Sequence, residues 1–75
     1  MKVILKGLNK RGKERVASFG IMGTFALLSE DPPANRAGCI LVESLDKRFR
    51  LGTTKTTWSG WLKVGEEVDI LKRES

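Results

Sequence analysis

Cys39-Ile-Leu-Val-Glu-Ser-Leu45 decides the fold. Branched apolar residues fill most of it and neither proline nor glycine interrupts it, so it reads as the strongest strand of the chain. On its C-terminal side, Asp46-Lys47 turns the chain into Arg48-Phe-Arg-Leu-Gly-Thr-Thr54. There Phe49 and Leu51 alternate with Arg48 and Arg50, which predicts a second strand with two guanidinium groups on its wet face. On the N-terminal side, residues 30–38 (Glu-Asp-Pro-Pro-Ala-Asn-Arg-Ala-Gly) form a loop, because two prolines, an asparagine and a terminal glycine suit neither helix nor sheet. Residues 24–29 before it read as a strand with apolar groups on both faces (Phe25 and Leu27; Ala26 and Leu28), hence a central or covered one.

The outer parts follow the same pattern. Lys2-Val-Ile-Leu-Lys6 is a short strand, and Asn9-Lys-Arg-Gly12 carries a turn signal. Residues 13–19 allow two readings: a strand pairing back on the first, which we prefer, or a helix of about two turns ending at Gly20. Residues 56–60 read as loop or irregular edge, residues 61–64 as a strand, and Gly65-Glu66 as a turn. Residues 67–71 make the last strand, with Val68 and Ile70 inward, and residues 72–75 a polar tail. Five or six short strands with glycine-rich turns predict one all-β domain over residues 1–75. Its expected form is a small five- or six-stranded barrel or rolled sheet, with one short helix near 13–19 as the helical option. Val64-Gly-Glu-Glu-Val-Asp-Ile70 resembles the Gly-acid-x-Val-x-Ile strand opening common in OB-fold and Src-homology-type barrels. That likeness covers seven residues and implies an OB-like or Src-homology-like closure.

Seventy-five residues lie near the lower limit for a single apolar core, so association with copies of itself is an expected way to bury more. A single cysteine excludes an intrachain disulfide and suits a reducing compartment. The first residues lack the apolar run of a secretory signal, and the longest apolar stretch, 21–28, is too short for a bilayer. A soluble, cytoplasmic protein with no membrane partner is expected.

The net charge of +5 is unevenly distributed. Residues 2–15 hold Lys2, Lys6, Lys10, Arg11, Lys13 and Arg15 against Glu14 alone, and residues 47–63 hold Lys47, Arg48, Arg50, Lys55 and Lys63 against no acid. Everything else sums to −5, so positive charge sits in two segments and attracts polyanions more than its net value suggests. The second segment also contains both tryptophans, Phe49 and four threonines. Cations, flat rings and hydroxyl donors together suit a phosphate backbone with stacked bases.

Catalytic chemistry is not expected. There is no histidine, which removes the usual base near neutral pH and the imidazole ligands of zinc. Cys39 opens an apolar strand and reads as a small core residue. The acids at 30–31 and 66–69 read as solvated turn residues, since neighbours on a strand point to opposite faces. Gly7-Leu-Asn-Lys-Arg-Gly12-Lys13 has the spacing of a phosphate-binding loop. However, Glu14 stands where a hydroxyl should hold magnesium, and no long helix is expected to follow. No cofactor or metal is expected.

The expected function is therefore a non-enzymatic nucleic-acid-binding module for RNA or single-stranded DNA with weak sequence specificity. Its candidate contacts are Lys10, Arg11, Lys13, Arg15, Lys47, Arg48, Arg50, Lys55, Trp58 and Lys63. Trp58 is preferred over Trp61 as the accessible ring, because Thr57 and Ser59 flank it in a loop. The rivals are a protein–protein module, such as a small inhibitor or adaptor from a mobile element, using the same Trp/Arg patch, and a homo-oligomer that buries it.

Overall fold

The computed structural model describes residues 1–45, 48–50 and 54–74, with the backbone alone described at 48–50 and 54–56. The elements are β1 (Lys2–Gly7), α1 (Lys10–Phe19), β2 (Thr24–Ser29), a 3-10 turn (Ala34–Arg36), β3 (Cys39–Ser44), β4 (Arg48–Arg50), β5 (Thr54–Thr56), β6 (Ser59–Lys63) and β7 (Val68–Glu74). Five strands form one antiparallel sheet in the order β6-β3-β2-β1-β7, and β4 pairs with β5 in a separate ribbon. The fold is mostly β with one short helix. The sheet is not closed: β6 and β7 are its two edges.

Curvature comes from two bulges. The register jumps between Leu27 and Ser29 in β2 and between Ile4 and Leu5, which face Lys72 and Ile70. Leu28 and Leu71 are the extra residues, unpaired and exposed, and bulges of this kind sharpen the local twist. The turn after β6 then carries the chain from one edge of the sheet to the other. Glu67 N–H donates to the Lys63 carbonyl (2.9 Å), and Gly65 N–H to the Val68 carbonyl (2.8 Å). The two edges therefore approach at this corner.

The inward face follows the strand period of two. Val3 and Leu5, Phe25, Ile40 and Val42, Leu62 and Val68 are buried, and Val16, Phe19, Leu27, Trp58, Val64 and Ile70 pack around them. Burying one such side chain contributes about 1.5–3 kcal/mol, so the seven among the described residues make a thin core. Without α1 across it, this face would be wet.

The preferred strand at 13–19 is corrected to a helix that starts at Lys10. Asn9 caps it, its Oδ1 accepting from Gly12 N–H at 2.8 Å, and Gly20 N–H closes the other end on the Val16 carbonyl at 3.0 Å. Local propensity alone is modest: Gly12 costs about 1 kcal/mol against alanine, and the first turn has three cations near the positive end of the dipole. Packing decides the outcome. Gly12, Val16 and Phe19 fall on one face, and that face meets the sheet and the 64–67 turn.

Two further corrections concern strand partners and ends. Residues 48–50 of the strand expected over 48–54 pair with 54–56 and not with 39–45, 51–53 lying outside the described residues, while β3 pairs with β2 and β6. The final strand runs through Lys72 and Arg73 to Glu74, instead of ending in a polar tail at 72. Its outer end is tied by Arg73 to Glu30 (Nη1···Oε1, 2.6 Å). The central placing of β2 and the inward packing of Val68 and Ile70 agree with the sequence expectation.

Candidate functional site

Trp58 is the hinge of the site, and β3 fixes it. Ser44, buried in the sheet, donates its N–H to the Trp58 carbonyl (2.7 Å) and accepts the Trp58 N–H on Oγ (2.9 Å). The neighbouring Thr57 hydroxyl donates to Glu43 Oε1 at 2.8 Å. Held there, the indole stacks on Phe19 of α1 (centroids 4.5 Å apart, planes within 6°) and meets Phe25 edge-on at 6.4 Å. A Cβ on Gly60 would lie 2.7 Å from the Trp58 ring, so only glycine lets the indole settle beside β6. The expectation that Trp58 is the accessible ring is corrected. It is half-buried and joined to the core, because α1, the second of the two readings of residues 13–19, supplies the surface it stacks on.

The Trp58 ring also meets a cation, with Arg15 Cζ 5.3 Å from its centroid. Arg11 lies one turn earlier on the same helix, and Arg36 arrives from the end of the 3-10 turn. These three arginines, with Trp58, Ser59, Gly60 and Trp61, line one cavity of about 230 Å³. A second hollow of the same size, lined by Arg11, Glu14, Arg15, Ser18 and Phe19, shares its two arginines.

The floor of the cavity is an open sheet edge. The Trp58 carbonyl and the Val64 N–H face β3, bonded to Ser44 and Gly38, so alternation turns the peptide groups of Ser59, Trp61 and Lys63 away from it. Lys63 agrees with this, since its carbonyl accepts from Glu67 in the corner turn. Among the described residues no strand pairs with this side of Ser59 and Trp61. Their N–H groups add donors to a cavity already rich in them.

One carboxylate competes for these cations. Glu67 Oε2 is buried without a hydrogen bond, and Arg11 Nε stands 3.7 Å from it. Among the described residues no ion pair engages Arg15 or Arg36. A site with three guanidiniums, one of them loosely held, can bind an anion and place a flat ring against an indole.

The other predicted contacts fall elsewhere. Lys10 and Lys13 are exposed on α1, in a helix and not in the expected turn. Lys63 sits on β6, with its ammonium 3.0 Å from Glu66. The hydrogen bond and negative charge of Glu66 raise its pKa above the ordinary 10.5, so that pairing persists through neutral pH and is lost only as pH rises past the raised value. Arg48 and Arg50 in β4 and Lys55 in β5 are placed by backbone alone, and the role expected of their side chains lies outside the description, as does Lys47. Cys39, expected as core, is half-buried opposite Lys63.

The structure adds Arg36 and Trp61 to Arg11, Arg15 and Trp58. Arg36 had no readable signal, being one base in a loop with two acids and two prolines. The phosphate-loop spacing at 7–13 is also explained differently. A helix does follow, but it begins before Gly12, so that glycine serves packing on Glu67 and no loop is left to cradle a phosphate.

Among the described residues no cluster of three or more His, Cys, Asp or Glu side chains could hold a metal ion, and no helix is long and apolar enough to cross a membrane. Comparison with protein-family models, with curated protein sequences and with solved structures finds no match.

Proposed function

We propose that the protein is a non-enzymatic nucleic-acid-binding module for RNA or single-stranded DNA. Phosphate would be held by Arg11, Arg15 and Arg36, and a base would lie against Trp61. The observation that carries this is the convergence of Arg11 and Arg15 of α1 with Arg36 of the 3-10 turn on one cavity that Trp58 and Trp61 also line. Base stacking on an accessible ring is tolerant of sequence, which favours single strands and weak specificity. The curled sheet, with its edges meeting at the 64–67 turn, would serve as a barrel-like platform of the OB or Src-homology kind. A second reading draws on the open edge of β6. There an acidic segment of a partner protein, or of a second copy, could add as a strand beside the arginines.

Fluorescence polarisation with a single-stranded 12-mer and its duplex, at rising salt, tests the first reading. Three phosphate contacts to a single strand predict a slope of about −2 for log K against log salt, and each of Arg11→Ala, Arg15→Ala and Arg36→Ala should shrink it by about 0.7. Binding that ignores salt, or ignores all three substitutions, rules this reading out. Glu67→Gln provides a check of opposite sign. With no carboxylate beside Arg11, affinity should rise by about three- to tenfold at low salt.

A further inference from the structure

We infer, resting on the nucleic-acid reading, that the cavity selects the phosphorylated end of a single strand, taking a terminal phosphomonoester in preference to an internal diester. The size of the hollow comes first. About 230 Å³ falls below the roughly 300–1,000 Å³ of sites for drug-sized ligands, so the hollow itself holds about one nucleotide.

Charge makes the second point. Arg11, Arg15 and Arg36 line the hollow with no acidic residue among its lining, while Glu67 offsets part of the charge at Arg11 and Glu14 adjoins Arg11 and Arg15 in the second hollow. Three cations lining one hollow match a terminal phosphate, which carries about −1.5 to −2 near neutral pH, better than the single charge of an internal diester.

Direction of approach makes the third. Arg11 and Arg15 come from successive turns of α1, Arg36 from the loop before β3, and the outward N–H groups of Ser59 and Trp61 from the β6 edge. Donors arriving from three elements can satisfy the three free oxygens of a phosphomonoester. A diester exposes two, and its continuing chain would have to leave past one of those walls. Trp61, which also lines the hollow from β6, is the residue nearest to hand for the first base of the strand.

The test compares 8-mers of one sequence ending in 5′-phosphate, 5′-hydroxyl or 3′-phosphate, with the label on the opposite end. A phosphorylated end should bind about tenfold tighter than the hydroxyl end, the worth of one added charge-assisted contact. That advantage should grow between pH 5.5 and 7.5, as the ester passes its second ionisation near about pH 6. It should vanish in Arg36→Ala and return in part in Arg36→Lys. The two phosphorylated oligomers, compared with each other, assign the polarity. Equal affinity for phosphate and hydroxyl ends, with binding still salt-dependent, overturns the end selection and leaves the general reading standing. A preference that survives Arg36→Ala also overturns it, by placing the terminal phosphate elsewhere. Failure of all three oligomers to bind at low salt removes both.

Discussion

Gly12→Ala should cost at least about 3 kcal/mol and leave much of the chain unfolded at 37 °C, beyond the usual range for overpacking. By propensity alone the change should help, since alanine is about 1 kcal/mol better than glycine inside a helix. Contact decides the sign. A Cβ at this position would sit 1.7 Å from the Glu67 carbonyl oxygen and 2.6 Å from its carbon. Both are backbone atoms, so no rotamer relieves the overlap. That oxygen also accepts the Leu8 N–H at 2.8 Å, which ties the turn to the end of β1. Either α1 lifts off or the corner between the sheet edges opens. Lifting α1 pulls Phe19 from Trp58 and uncovers the core around Phe25, Val42 and Leu62. Urea denaturation followed by circular dichroism measures this directly, and an alanine variant as stable as the parent would mean that the helix does not rest on this turn.

The same glycine explains what could be read in the sequence and what could not. Strand content was legible wherever short apolar runs are bounded by turn residues: β1, β2, β3 and β7 all lie where the runs around Val3, Phe25, Val42 and Val68 predicted them. Asn9-Lys-Arg-Gly12 has the composition of a turn, and nothing local says that Gly12 is wanted for a contact with a residue 55 positions away. Val16 and Phe19 three apart, with Gly20 to close the last turn, gave the helical option over 13–19, but the start at Lys10 lay hidden in the apparent turn. Once α1 is in place, half the site follows, because Arg11 and Arg15 share a face and Phe19 draws Trp58 inward. The open edge of β6 was not legible either. It depends on β4 and β5 pairing with each other and not with β3, a long-range choice that alternation in 48–54 could not settle.

The two tryptophans should separate stability from binding. Trp58→Ala removes the ring stacked on Phe19 and edge-on to Phe25, leaving a void between α1 and the sheet. Fully buried aromatic truncations cost about 3–5 kcal/mol, and a half-buried ring held by this much contact should lose about 2–4. Trp58→Phe should recover most of it, since a smaller ring can still stack. Trp61 is half-buried opposite Leu41 and does not pack against the core cluster, so Trp61→Ala should cost under about 1 kcal/mol. Its effect should fall on the ligand instead. Loss of one base-stacking ring removes about 1–3 kcal/mol, or roughly five- to 150-fold in affinity for a single-stranded oligonucleotide. Thermal melts and polarisation on the same four proteins give both numbers. A Trp61→Ala variant that binds like the parent would leave Trp61 a bystander, and with it the stacking half of the site. A Trp58→Ala variant that melts like the parent would deny the tie between helix and sheet, on which the position of Arg11 and Arg15 depends. The two outcomes are independent: the first strikes the chemistry and leaves the fold, while the second strikes the fold on which that chemistry stands.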